Sequence, residues 1–504
     1  MPLFDMSTLL PLLVAIPLAG AIVSVLLSTK YVQVLTGLLT ATSLLLVMGL
    51  ILGGLSFNGT GETIAVRYSL AGWAAPLGIA LSLDGFSALL ITLTVFLVAV
   101  LTLYSAFYFA ASPARERFWP LWWLLVAGII ALFLSADIFN IYVTLEIIGL
   151  AAVALVALSG NKAGLTAALR YLLVGLLGSL CYLLAVALLY HAYGTLDFSQ
   201  LAERVESNSL SWAALALITV GLVLKTALVP LHFWLPHAHG SAPAPISAIL
   251  SALVVKASFY LLVRFWMEIL TPAVTNDALM LLGVLGGMAI VWGCVQALRA
   301  KRLKLMVAYS TVAQIGYLFL LFPLLMSTDG VSASQLAIQH QSALAAVSYF
   351  IVAHACAKAA MFIAAGNIIH SLGHDDIARL QGMAKYMPLS LFTFAIAGGS
   401  LIGLPPSAGF IAKWLLLNVA IDTQQWWWVL IILAGGLMAA LAIFRVLDLA
   451  FIKPEQACEQ STPDNWQKVP VAMPISGLAL ALCTMALGFN ADLIIDLVAI
   501  GGGE

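Results

Sequence analysis

The chain has 504 residues, of which 63% are hydrophobic and 9% charged, with a formal net charge of -1 at pH 7. Soluble domains carry about 25% charged residues, so this composition, with a mean hydropathy of +1.08, excludes a soluble globular protein. The near-zero charge points away from nucleic acid, and a polytopic protein of the lipid bilayer is expected.

A bilayer-spanning helix needs about 20 mostly apolar residues. The sequence supplies about fourteen such runs: 8–28, 31–54, 79–104, 119–136, 138–158, 167–191, 212–240, 244–270, 276–299, 304–326, 344–371, 389–421, 425–452 and 469–488. The segment from Met1 to Leu27 lacks a basic n-region and a small-residue cleavage site, so it reads as a retained first span. Breaks after odd-numbered spans hold Lys30, Arg115, Arg117, Lys162, Arg299, Lys301, Arg302, Lys304, Arg379, Lys385, Lys453 and Lys468, whereas those after even-numbered spans hold only Arg67 and Arg204. By the positive-inside rule the basic loops are cytoplasmic and both termini lie outside. The expected location is the cell inner (plasma) membrane.

Asp84 opens the third span and reads as structural. Asp137 and Asn140 mark the break before the fifth span, whose one carboxylate is Glu146, in IYVTLEIIGL. Glu146 reads either as an interfacial acid or as the counter-charge of a lysine on a neighbouring span; an unpaired carboxylate at that depth would protonate. The seventh run, GLVLKTALVPLHFWLPHAHGSAPAP, carries Lys225 and then Pro230, Pro236, Pro243 and Pro245. Proline removes a backbone donor and clashes one turn back, so this helix must break, which a membrane tolerates only inside protein or beside a wet cavity. His232, His237 and His239 cluster at the break. No cysteine or carboxylate completes a metal site there, so they read as a hydrated mouth.

The eighth span holds Lys256 about ten residues from its start, where snorkelling to the interface is hardest, and Arg264 near its end, expected to snorkel. His354 and Lys358 in the eleventh run are four apart and so share a helix face; a histidine titrating near neutrality can pass protons. The twelfth run, GGSLIGLPPSAGFIAKWLLL, repeats the pattern of the seventh with Gly403, Pro405, Pro406, Gly409 and then Lys413. Arg445, near the end of the thirteenth span, reads as structural. Cys181, Cys294, Cys356, Cys458 and Cys483 are scattered without metal-type spacing and read as small core residues.

An ammonium at the bilayer centre costs roughly 2.5–3.5 kcal/mol on insertion scales, so Lys225, Lys256 and Lys413 read as parts of an ion path. Burial disfavours the charged lysine while a nearby carboxylate restores it, which suits a proton relay. Two broken helices five spans apart, each with one lysine, predict a five-helix repeat whose copies, five being odd, are inverted. The expected architecture is therefore all-α, with about fourteen transmembrane helices and two inverted five-helix repeats, each containing a broken helix. Its divisions are helices 1–3 over residues 1–110, a first repeat over 111–270, a second over 271–452, and helix 14 with its tail over 453–504.

The stretches KTALVPLHFWLPHAH, VVKASFYLLVRF, LKLMVAYSTVAQIGY, HACAKAAMFIAAGNIIH and GLPPSAGFIAKWLLL resemble the proton-translocating, antiporter-like membrane subunits of respiratory complex I, membrane-bound hydrogenases and Mrp-type multisubunit Na+/H+ antiporters. The resemblance covers residues from about 80 to about 450. It implies Glu146 as the fifth-helix glutamate, Lys225 as its paired lysine, Lys256 as the eighth-helix relay, His354 and Lys358 as the central eleventh-helix pair, Lys413 as the terminal residue and Asp137 as a loop acid. GWAAPLGIALSLDGFSALL is similar to the D subunit of Mrp antiporters. Lys413, and a chain ending soon after its fourteenth span, point away from the M-type and L-type subunits of complex I. Two departures stand out: Arg302 occupies the place of an aspartate before the AYS motif, and Ser251 that of an eighth-helix histidine. The expected function is a non-enzymatic transporter subunit carrying protons, coupled to Na+, beside other membrane subunits. It needs no cofactor and no metal. One rival is a proton-pumping subunit of a complex I-like, hydrogenase-like or inorganic-carbon-uptake complex; another is a membrane enzyme using His237, His239, Asp375 and Asp376.

Overall fold

The structure, a computed structural model, describes residues 6–27, 29–57, 66–73, 78–326, 332–452 and 467–499. Lys453 and Cys458 lie outside the described residues. The chain is almost wholly helical, with thirteen described helices long and apolar enough to cross a membrane. In chain order the helices that matter here are α1 (Leu10–Leu26), α2 (Lys30–Phe57), α3 (Gly85–Tyr108), α4 (Arg115–Leu134), α5 (Ile138–Ala157), α6 (Lys162–Tyr193), α7 (Ser209–Thr226) and α8 (Leu235–Ser241). They continue with α9 (Ala244–Ile269), α10 (Asn276–Arg299), α11 (Leu303–Leu324) and α12 (Ala333–Leu372), then α13 (Pro388–Ile402), α14 (Ala408–Asp422), α15 (Trp426–Phe451) and α16 (Ala472–Ala486). α13 and α14, at 15 residues each, are singly shorter than the about 20 residues of a span.

Local signals set the helix starts. Asp84, Asn208 and Ser332 close capping boxes with Ser87, Ser211 and Gln335, and Asp137 and Asn161 cap α5 and α6 through Asn140 N and Gly164 N; each such cap satisfies an orphan amide. α12 runs for 40 residues, well beyond its apolar run, because its first turns are polar.

Two strands depart from the all-helical expectation. β1 (Val66–Ser69) and β2 (Ala80–Leu83) form an antiparallel pair with Val66 opposite Leu83. Ala136 N donates to Ala80 O at 3.1 Å, tying the hairpin to the α4–α5 turn, and Ile138 N donates to Leu196 O at 2.9 Å, tying the start of α5 to the segment after α6. Four-residue strands carry too little alternation to be read from sequence.

The most apolar windows of α9 and α12 are wholly buried, whereas those of α1, α2 and α16 are only one-third buried (33%). α9 and α12 therefore form the axis of the bundle, and Lys256, His354 and Lys358 on them lie far from lipid. Arg264 does not snorkel: it pairs with Asp84 and, at 3.0 Å, with Glu268. Arg445 donates to the carbonyls of Leu298 and Ala300 at the end of α10, a structural tie as expected.

Candidate functional site

α7 ends at Thr226, one residue after Lys225, and Ala227 takes a left-handed conformation at φ 62°. A non-glycine residue there is strained. Trp234 Nε1 donates to Leu224 O at 2.9 Å, satisfying a carbonyl that the break frees. Pro230 lies inside the break, but Pro236 opens α8 in its first turn, where a missing amide costs nothing. Lys225 thus sits at the negative end of a half-helix dipole. It shares a cleft, with about 30 Å³ accessible to water, with Glu146, Tyr171, Ala257 and Ser258. Lys225 and Glu146 make no ion pair within 4.0 Å, and attract one another across the cleft.

The second break is built differently from the same parts. Gly403 closes α13 at φ +93°, and a Cβ there would meet Lys413 Cδ at 3.0 Å, so both conformation and space demand glycine. A Cβ on Gly409 would lie 1.7 Å from Ser400 O, which is how closely α14 approaches α13. Lys413, on α14, reaches back to donate to Leu401 O at 2.9 Å and Ile402 O at 2.8 Å. Its ammonium also lies 4.9 Å from the centre of the Tyr317 ring, a cation–π contact. Lys225 stands on the half-helix that ends; Lys413 reaches across to one.

Between the breaks, Lys256 is fully buried and its Nζ donates to Ser251 O. Ser251 lies in a π-helical turn, Leu250–Val254, a widened turn that turns its carbonyl toward the lysine and that recurs at functional sites. Ser251 Oγ and Thr311 Oγ1 are 2.9 Å apart, so the serine standing in the place of a histidine still gives a polar link to α11. Lys358 donates to Val307 O at 3.0 Å and to Ser310 Oγ. His354 is 2% exposed, with neither ring nitrogen hydrogen-bonded, and lies within electrostatic range of Lys256 and Lys358. It faces a small cavity, of about 10 Å³ accessible to water, shared with Gln314, Ser400 and Lys413. A further small cavity, of about 10 Å³ accessible to water, touches Ser310, Gln314 and Leu401, between the surroundings of Lys358 and those of Lys413. One water molecule needs about 10–15 Å³ of such volume, so each cavity has room for about one.

The structure therefore puts Glu146 and Lys225 on one cleft, His354 within electrostatic range of Lys256 and Lys358, and His354 and Lys413 on one cavity. It does not gather the three histidines: His239 is buried, His237 is exposed, and His232 accepts from Trp292 Nε1 at 3.0 Å. Among the described residues no group of three His, Cys, Asp or Glu side chains could hold a metal ion. Asp137 lies at the hairpin side, where its Oδ1 caps Asn140 N at 2.6 Å; burial pushes its carboxyl up, against the pull of the Asn140 and Phe139 amides. Sequence reasoning missed Ser310, Thr311, Gln314 and Tyr317, and read Ser251 only as a departure from the family pattern. They are ordinary polar residues whose only signal was their place in apolar runs.

The chain resembles known proteins along nearly all its length. The N subunit of NADH-quinone oxidoreductase from Desulforudis audaxviator is 33% identical over 449 residues, 86% of each chain. The D subunit of the Na(+)/H(+) antiporter from Alkalihalophilus pseudofirmus is 29% identical, covering 84% of this chain and 83% of that one. Among solved structures, a chain of the Mrp complex from a Dietzia species superposes with a TM-score of 0.86 at 26% identity, covering 100% of this chain and 97% of the other. A chain of an archaeal membrane-bound sulfane sulfur reductase gives 0.85 at 27% identity, covering 98% and 96%. Both are chains of multisubunit membrane complexes. With residues 135–439 matching the family described as NADH:quinone oxidoreductase/Mrp antiporter, TM, the chain belongs to that family of transporter subunits.

Proposed function

We propose that this chain is the proton-translocating D-type component of a multisubunit cation/proton antiporter exchanging Na+ for H+. The observation that carries the reading is the row of ammonium groups held inside the bundle between two helix breaks. Protons pass from Glu146 through Lys225, Lys256 and the Lys358/His354 face to Lys413, with water in the cavities bridging neighbours. Each lysine is stabilised when charged by carbonyls or a facing carboxylate, and burial makes the neutral form accessible. Asp137, His232 and His239 act as accessory groups of the path. The two breaks belong to inverted repeats over 111–270 and 271–452, flanked by segments 1–110 and 453–504. The protein lies in the inner (plasma) membrane, its basic loops cytoplasmic and its termini outside, beside other membrane subunits.

A second reading, a proton-pumping component of a complex I-like assembly, is favoured by the resemblance to the NADH-quinone oxidoreductase relative. Co-purified partners distinguish the two. The path itself is tested by Lys225→Ala and Glu146→Ala in everted vesicles containing the assembled complex. Both variants lose Na+-driven proton movement at unchanged assembly, and full transport by Lys225→Ala refutes the assignment.

A further inference from the structure

Lys304 counts by sequence among the loop cations, yet it is only 4% exposed at the start of α11. Its neighbour Arg302 has a side chain 55% exposed and donates through Nε to Asp375 Oδ1 at 2.8 Å, while the Asp375 side chain is 7% exposed. Asp375 Oδ2 accepts from Lys304 N at 3.2 Å, and Asp375 O accepts from Leu303 N at 2.7 Å. The acid is thereby pinned at the edge of the basic-loop face, on the surface side of Lys304.

On the inner side, Lys304 Nζ donates to Ala242 O, the carbonyl that ends α8. Ser247 Oγ lies 3.4 Å from Ala242 O and donates to His239 O at 2.9 Å. His239 is 1% exposed, its ring rests on Phe362 with centroids 5.3 Å apart, and its Nδ1 has no hydrogen-bond partner. This imidazole lies within electrostatic range of Lys304, Lys358 and Lys256 together. One buried ammonium thus stands between a surface-edge carboxylate and an imidazole beside the central row whose Nδ1 has no partner.

We propose that Asp375, Lys304 and His239 form a polar branch that carries protons between the basic-loop face and the central row. The proposal rests on the proton-path reading above and adds the residues by which one side of the membrane reaches it. In the inward direction the Asp375 carboxylate takes a proton from water at the face and gives it to the Lys304 amine. The Lys304 ammonium releases one to His239 Nδ1, which passes it to the neutral amine of Lys256 or Lys358. Arg302 positions Asp375 and carries no proton, since a guanidinium does not deprotonate in proteins.

A lysine that merely caps α8 would serve equally well as an arginine; a relay would not. Lys304→Arg, Lys304→Met and Lys225→Ala are therefore compared in everted vesicles holding the assembled complex. Both Lys304 variants are expected to assemble normally and to lose transport to background. Native transport by Lys304→Arg overturns the branch. In parallel, Lys304→Cys is treated with a membrane-impermeant cationic methanethiosulfonate and compared with the unmutated chain. Modification from the basic-loop face alone supports the branch, and no modification from that face overturns it even where Lys304→Arg fails to assemble. Inactive Lys225→Ala beside active Lys304→Arg removes only the branch, whereas active Lys225→Ala removes the central path itself.

Discussion

Gly403→Ala tests the second break at its tightest point. The left-handed conformation at φ +93° costs a residue with a Cβ roughly 1–2 kcal/mol. The new methyl group would meet Lys413 Cδ at 3.0 Å, so the lysine stem must move. Its ammonium then loses at least one of the bonds to Leu401 O and Ile402 O, at 2.9 and 2.8 Å, and a hydrogen bond to a charged group is worth about 1.5–3 kcal/mol. The expected destabilisation is about 2.5–5 kcal/mol in total, read by denaturant unfolding of the purified complex, with a parallel fall in vesicle antiport. The origin of the effect is separable by a double-mutant cycle with Lys413→Ala. If the methyl acts through the lysine, the two changes couple by at least about 1 kcal/mol. Strict additivity, or a Gly403→Ala protein as stable and active as the native one, would refute the reasoning.

Lys256→Met should abolish antiport yet leave stability within about 1 kcal/mol. Relief from burying an ammonium, roughly 2.5–3.5 kcal/mol, offsets its bond to Ser251 O, about 1.5–3 kcal/mol; large destabilisation measured by unfolding would contradict this. Asp84→Ala removes both the capping box of α3 and the partner of Arg264, whose side chains are 12% and 16% exposed. Breaking such a buried pair costs about 3–5 kcal/mol, and Asp84→Asn, which keeps a cap, should cost less in the same assay. Asp137→Asn probes a carboxyl raised by burial above its ordinary 3.8. Such an acid contributes stability that is lost as pH rises through its folded pKa, so the asparagine variant, still a good cap, should be more stable than native at pH 7. That advantage should vanish as pH falls toward 3.8, and an undiminished difference there would sink the linkage argument.

Sequence alone determined the fold class and marked the lysines on which the proposed path rests, because the bilayer leaves few options. Runs of about 20 apolar residues must be helices, a cluster of prolines after a lysine marks a break where the lone Pro17 and Pro120 do not, and a lysine inside such a run must be accounted for; Lys225, Lys256 and Lys413 were legible for that reason. Direction of burial was not legible. Arg264 looks free to snorkel until the fold brings Asp84 to it from 180 residues away, and Lys304 looks like a loop cation until α8 supplies a carbonyl to bury it. Nor does periodicity reveal a π-helical turn, which changes the geometry of five residues without changing their hydropathy, so the Ser251 carbonyl facing Lys256 was hidden. The partners of Lys358 and Lys413 are backbone carbonyls, serine and tyrosine, residues with no intrinsic signal. Only tertiary packing, by setting α9 and α12 at the axis and α13 against α14, decided which polar groups meet in an interior where none can be left to water.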